Sequence, residues 1–119
     1  TKYHIRHCTQ WMYRLGDGTD ESHNRTQKAL DELWAYTEEL FEMDDVDDIL
    51  IKAGIATDLS VIKALWSERV GEMIITSTLK RPTDGYMQTG SRKGIHSEYL
   101  GFILSEMQFL PRAYPDAKW

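Results

Sequence analysis

The sequence predicts an all-α fold, and three observations carry that prediction. Apolar residues recur every three or four positions through five segments, the spacing of one face of a 3.6-residue helix. No stretch alternates apolar and polar residues as a half-buried strand does. Glycines and prolines fall between the periodic segments, where helices end. At 119 residues the chain has room for one domain with a hydrophobic core and not for two. Residues 1–119 therefore read as a single helical domain.

The first helix runs from the start to about Leu15, with Ile5, Cys8, Met12 and Leu15 on one face. Gly16-Asp17-Gly18 ends it. Trp11, Met12 and Tyr13 make this helix apolar on more than one side, the pattern of a helix buried between neighbours. The second begins near Thr19 to Ser22 and runs to about Phe41, roughly 30 Å at 1.5 Å per residue. Its stripe is Ala29, Leu30, Leu33, Trp34, Tyr36, Thr37, Leu40 and Phe41, with Glu32, Glu38 and Glu39 outside. A short acidic helix follows from about Asp44 to Ala53, stopped by Gly54. Thr57 or Asp58 caps a long helix to about Thr78, with Leu59, Ile62, Leu65, Trp66, Val70, Met73, Ile74 and Ser77 inward. A loop carrying Pro82, Gly85, Gly90 and Gly94 leads to the last helix, His96 to Leu110. Leu100, Ile103, Leu104, Met107 and Leu110 face inward there, and Pro111 cuts it off.

Composition excludes several functions. The formal charge is -5, and a nucleic-acid or anionic-membrane surface needs a dense Lys/Arg face instead. No apolar run approaches the ~20 residues that cross a bilayer, and no signal-peptide pattern opens the chain. Cys8, the single cysteine, has no internal disulfide partner, so a reducing cytoplasm is the expected compartment. On the inward face of its helix it reads as an inert core thiol. There is no initiator Met, and Thr1–Ile5 already reads as the middle of a helix. The chain is therefore expected to be a fragment, cut inside a helix of a longer polypeptide.

Four groups of residues invite a chemical reading. His4 and His7 lie one turn apart and are candidate metal ligands. A carboxylate-bridged diiron site, however, needs Glu-x-x-His on two helices and a further Glu on each of two others. The chain contains no Glu-x-x-His. Asp20-x-x-His23 stands at the start of a helix, so polar or capping histidines are the plainer reading of both sets. Asp44–Asp48 lacks the glycine of a calcium loop at its sixth position, and reads as acids favouring a helix N-terminus. Lys80, Arg81, Arg92 and Lys93 flank the loop before the last helix, where backbone amides and cations could hold a phosphate, such as one of coenzyme A. The glycine spacing matches neither phosphate-binding fingerprint, and a solvated basic loop is the simpler reading. Glu98 and Glu106 lie two turns apart near one face. A buried structural network with Arg69 or His96 is expected for them rather than an acid–base pair.

Several blocks, in order, resemble one family. They are Tyr3-His4-x-Arg6-His7, Arg14-Leu15-Gly16-Asp17-Gly18-Thr19, Leu33-Trp34-x-Tyr36-Thr37-x-Glu39-Leu40-Phe41 and Gly54-Ile55-Ala56. Gly90-x-Arg92-Lys93-Gly94, the last helix from Gly94 to Leu110, and Arg112-Ala113-Tyr114-Pro115 with Trp119 complete the set. The family is the structural subunit of the multicomponent phenylacetyl-coenzyme A epoxidase, and the similarity spans the chain as the C-terminal half of such a subunit. The resemblance implies a ferritin-like helical bundle without metal ligands of its own. It also implies a heterodimer with a catalytic diiron subunit that epoxidises the aromatic ring of phenylacetyl-coenzyme A, alongside the other epoxidase components. No cofactor is expected in this chain and no catalytic residue is assigned. Its work would be packing, through exposed surface on Trp11, Tyr13, Trp34 and Trp66, and a homo-oligomer is the other association in view. Two rival readings are a metal-binding oxygenase subunit using His4 and His7, and a coenzyme A phosphate module using Arg92 and Lys93.

Overall fold

In the computed structural model, residues 1–118 are described; Trp119, part of the closing block above, lies outside them. Among the described residues six α-helices follow one another, α1 Lys2–Gly16, α2 Asp20–Leu33, α3 Asp45–Lys52, α4 Leu59–Thr76, α5 Tyr99–Met107 and α6 Phe109–Ala113. No strand occurs among the described residues, as the periodicity predicts. The chain forms two compact units, the first comprising Thr1–Thr89 and the second beginning at Gly90.

The caps explain most boundaries. Thr19 accepts the Ser22 amide at the start of α2, and Asp58 accepts the Ser60 amide at the start of α4. Asp44 and Asp47 form a reciprocal capping box on α3, so the acidic run is a helix start. After α3, the Gly54 and Ile55 amides donate to the Ile51 and Leu50 carbonyls, with Gly54 at φ 69. That is a Schellman stop. The end of α4 repeats it with Thr78 in the glycine position at φ 58, its amide on Ile75 and that of Leu79 on Ile74. A β-branched residue is strained there.

Two predicted helices are corrected. The second does not continue to Phe41. After Leu33 the chain tightens into 3-10 turns at Trp34–Tyr36 and Glu38–Phe41. The Thr37 hydroxyl donates to the Trp34 carbonyl at 2.8 Å, in competition with the regular ladder. Three residues per turn shift the facing of every later side chain. Leu40 therefore points outward, while Glu39, expected outside, has a buried carboxylate oxygen. In the second unit, Pro111 does not end a helix; it occupies the first turn of α6, where its missing N–H has no partner to lose. The break falls instead at Gln108, between α5 and α6.

The core of the first unit is small. Trp34, Ile74 and Leu79 are buried, with Met12, Leu30, Trp66, Val70 and Met87 packed around them. Trp34 is thus a core residue and not an exposed docking residue. Its ring tilts against Trp66 at 5.9 Å, and Phe41 meets Trp66 edge-on at 5.3 Å. Much of what the periodicity places inward is outside: Ile62 and Leu65 on α4, and Ile103, Leu104, Met107 and Leu110 in the second unit, are exposed. Periodicity marks the apolar face of a helix and does not supply its neighbour.

Polar contacts stitch the unit where apolar burial is thin. Gln27 and the Lys80 backbone exchange two hydrogen bonds, at 2.9 and 2.8 Å. Trp34 Nε1 donates to Asp84 at 2.9 Å, Arg81 donates to both oxygens of Asp84, and the Arg81 guanidinium lies 5.0 Å from the Trp34 ring centroid. Arg81, which the sequence groups with a basic loop, is instead one side of this clasp. At the far end of α1, the Gly16 carbonyl accepts from His23 Nδ1 at 2.7 Å and from the Thr78 hydroxyl at 3.2 Å. His23 thus bonds the last carbonyl of α1, while Thr19 caps the helix in which it stands.

Candidate functional site

An open groove of about 720 Å³ lies between α1 and α4 in the first unit. Ile5 and Cys8 line it from α1, and Leu65, Trp66, Val70 and Met73 from α4, with His4, Arg69 and Glu72 supplying polar edges. Apolar side chains of α4 point in more than one direction, between its charged Lys63, Glu68, Arg69 and Glu72. Trp66, Val70 and Ile74 turn toward the core, while Leu65 is 63% exposed and Ile75 77% exposed. A helix with that pattern belongs inside a bundle. The predicted all-round apolarity of α1 is present as well, with Trp11 and Tyr13 exposed.

Cys8 is exposed in this groove and is not the buried thiol expected. The inward stripe of α1 faces α4 across open space there, so the thiol has no cover. Glu39 has a buried Oε1 with no hydrogen-bond partner among the described residues. A buried carboxylate oxygen without a donor is costly.

His4 lines the groove, whereas His7 belongs to a row of rings on α1. Tyr3 meets His4 edge-on at 5.9 Å and stacks on His7 at 5.8 Å, and His7 meets Trp11 at 6.4 Å. Among the described residues no group of three or more His, Cys, Asp or Glu side chains could hold a metal ion. The sequence also lacks the Glu-x-x-His pairs that a carboxylate-bridged diiron centre needs.

Arg92 and Lys93 sit in a 3-10 turn, Ser91–Lys93, flanked by Gly90 at φ 95 and Gly94 at φ 83. The Lys93 and Ile95 amides donate to the Gly90 carbonyl, and the Gly94 amide to that of Ser91. With these amides spent inside the turn, phosphate recognition would fall to the side chains. Glu98, Glu106 and His96 all stand in solvent, so the buried network expected around the two carboxylates does not form.

Sequence reasoning misses the Trp34–Arg81–Asp84 clasp and the pairing of Lys63 with Glu38. Trp34 and Asp84, like Lys63 and Glu38, stand 25 or more residues apart, and no local spacing signals such pairs. Hydrogen bonds from Trp34 and then Arg81 hold the Asp84 carboxyl below the usual carboxylate range. Hydrogen bonds from Ser60 do the same for Asp58.

No helix among the described residues is long and apolar enough to cross a membrane. A family profile described as "Phenylacetic acid catabolic protein" matches residues 1–119. The chain is 42% identical over 118 residues to one subunit of the 1,2-phenylacetyl-CoA epoxidase of Escherichia coli (strain K12), covering 99% of this chain. It spans about half the length of that relative, 48%. The all-α architecture agrees with the ferritin-like helical fold of the family. The chain belongs to the phenylacetic acid catabolic protein family.

Proposed function

We propose that this chain is part of a non-catalytic helical scaffold subunit of a multicomponent oxygenase acting on phenylacetyl-coenzyme A in the cytoplasm. One observation carries the reading: α4 and α1 present an open apolar groove lined by an uncovered thiol, in a unit whose Glu39 keeps a buried oxygen with no donor among the described residues. The groove is a seat for helices from outside these 119 residues. A relative of about twice this length, itself one subunit of an epoxidase, supports a role beside other components. Iron and oxygen chemistry belong, in this reading, to a companion diiron subunit, because the donors described in this chain do not assemble the ligand set that such a centre needs. Packing is the chain's contribution. Specific association buries roughly 1,600 Å² in total, and obligate pairs bury more.

Two measurements on co-purified components test this. Iron analysis of each separated subunit is expected to find the metal with the companion. Near-stoichiometric iron on this chain, lost in a His4→Ala, His7→Ala variant, would overturn the scaffold reading. Thiol labelling gives the second readout. Cys8 is expected to react readily in the isolated chain and to be protected in the assembled complex, and equal labelling rates in both states would remove the groove from the interface.

A further inference from the structure

The face of α1 turned away from the groove carries a different pattern. Tyr3, His7 and Trp11 follow one another at four-residue steps with their rings in contact. Arg6, Gln10 and Arg14 form the next four-residue row. The Arg6 guanidinium lies 5.8 Å from the Tyr3 ring centroid and that of Arg14 lies 5.7 Å from the Trp11 centroid. The first sixteen residues hold three of the chain's fourteen Lys and Arg and none of its nineteen Asp and Glu. This helix is therefore +3 in a chain whose total is -5. Neither Arg6 nor Arg14 has a carboxylate within ion-pair distance among the described residues. Two guanidiniums eight residues apart stand roughly 12 Å apart along the axis.

The second unit holds the matching pattern. Glu98, Phe102 and Glu106 occupy one four-residue row at the start of α5 and along it, all exposed, with Phe102 at 70%. No Lys or Arg lies between Lys93 and Arg112. These two carboxylates are also eight residues apart, again roughly 12 Å of helix rise. Tyr99, Ile103 and Met107 extend the exposed apolar surface beside the row.

We propose that α1 of one copy of this chain docks α5 of a second copy. The Glu98–Phe102–Glu106 row enters the groove between the Tyr3–His7–Trp11 and Arg6–Gln10–Arg14 rows. Rows built at four-residue spacing on both helices interdigitate at an axial angle of about −50°. In that arrangement Phe102 meets the His7 and Trp11 rings, and each carboxylate reaches one guanidinium. Aromatic stacking holds the guanidinium planes in place and lowers the entropy lost when the ion pairs form. The contact is electrostatically specific and weakens with added salt. It is independent of the scaffold reading, since a scaffold subunit can stand without it.

Sedimentation velocity on the chain tests the pairing. The parent chain is expected to self-associate at low ionic strength and to dissociate as salt rises. Two charge-reversed variants, Arg6→Glu with Arg14→Glu and Glu98→Lys with Glu106→Lys, are each expected to associate about tenfold or more weakly alone. Mixed in equal amounts, they restore association, because each then offers the charge that the other lacks. All four positions are exposed, and circular dichroism checks that the variants fold. Should a reversal unfold the chain, the neutral Arg6→Gln, Arg14→Gln and Glu98→Gln, Glu106→Gln variants are expected to weaken association and flatten its salt dependence. A monomeric parent chain, variants that associate as the parent does, or a mixture that stays monomeric would each overturn the proposal.

Discussion

Gly16→Ala places a methyl group where two helices meet backbone to backbone. A Cβ at Gly16 would lie 2.4 Å from the Ser77 carbonyl oxygen and 2.7 Å from the Ser77 Cβ, and Ser77 is fully buried. The nearest obstruction is backbone, so no rotamer change relieves it. Overpacking of this kind costs about 1–3 kcal/mol. Moving Gly16 also stretches the two hydrogen bonds that its carbonyl accepts, from His23 and Thr78, each with a net value of about 1 kcal/mol. Alanine's better helix propensity offsets at most about 1 kcal/mol. The expected net loss is about 2–3 kcal/mol, or a Tm lower by roughly 8–12 °C at this chain length. Gly71→Ala is the control. Its Cβ meets nothing within 4 Å in the middle of α4, so it is expected to stabilise by about 0.5–1 kcal/mol. Urea titrations followed by circular dichroism measure both. A Gly16→Ala chain as stable as its parent, or one that shifts in the same direction as Gly71→Ala, would refute the close approach of α1 and α4 at this point.

Two further outcomes follow from the clasp and the small core. Asp84 and Asp58 have carboxyls held below their unfolded pKa, so each contributes stability that is present above about pH 4 and lost as pH falls through the lower folded value. Asp84→Asn is therefore expected to lower the urea midpoint at neutral pH and to flatten its decline in acid; an unchanged acid slope would remove Asp84 from that role. Trp34→Ala is expected to cost about 3–5 kcal/mol, whereas Leu65→Ala in the isolated chain should stay within about 0.5 kcal/mol. Similar losses for the two would contradict the burial pattern, because the first residue is in the core and the second faces open groove.

The legible part of the fold is the part that local chemistry decides. The acidic helix start at Asp44–Asp48, Asp58 as a cap, Gly54 as a stop and the lack of alternating strand patterns all depend on residues within about one helical turn of each other. The misread part depends on distant partners. The stripe from Ala29 to Phe41 is continuous at helical spacing, yet the chain leaves the α-helix where Trp34 is committed to Asp84, fifty residues away. From that point Glu39 and Leu40 exchange places relative to the expectation. Pro111 reads as a stop because a helix interior cannot hold it, and the preceding break at Gln108 turns the same position into a first turn. Arg81 falls in with Arg92 and Lys93 by charge and loop position alone, although its carboxylate partner stands three residues on.

The candidate site is legible in a different sense. Periodicity assigns Cys8, Ile62 and Leu65 inward, and their helices do turn those positions to a common apolar side. What periodicity cannot tell is whether the neighbours of these residues lie within the chain. An apolar stripe records the environment in which a helix is finally buried, and that environment can include another polypeptide or another part of the same one. Open space opposite α4 is consistent with the proposed seat for helices from outside these residues. The same distinction separates the two faces of α1. The Ile5–Cys8 side carries no Arg, Lys, Asp or Glu of α1 and lines a mainly apolar groove, whereas the Tyr3–Trp11 side spaces its guanidiniums and so selects for a partner with carboxylates at matching intervals. Burial on the first face supplies affinity for helices in general, and charge on the second supplies discrimination between them.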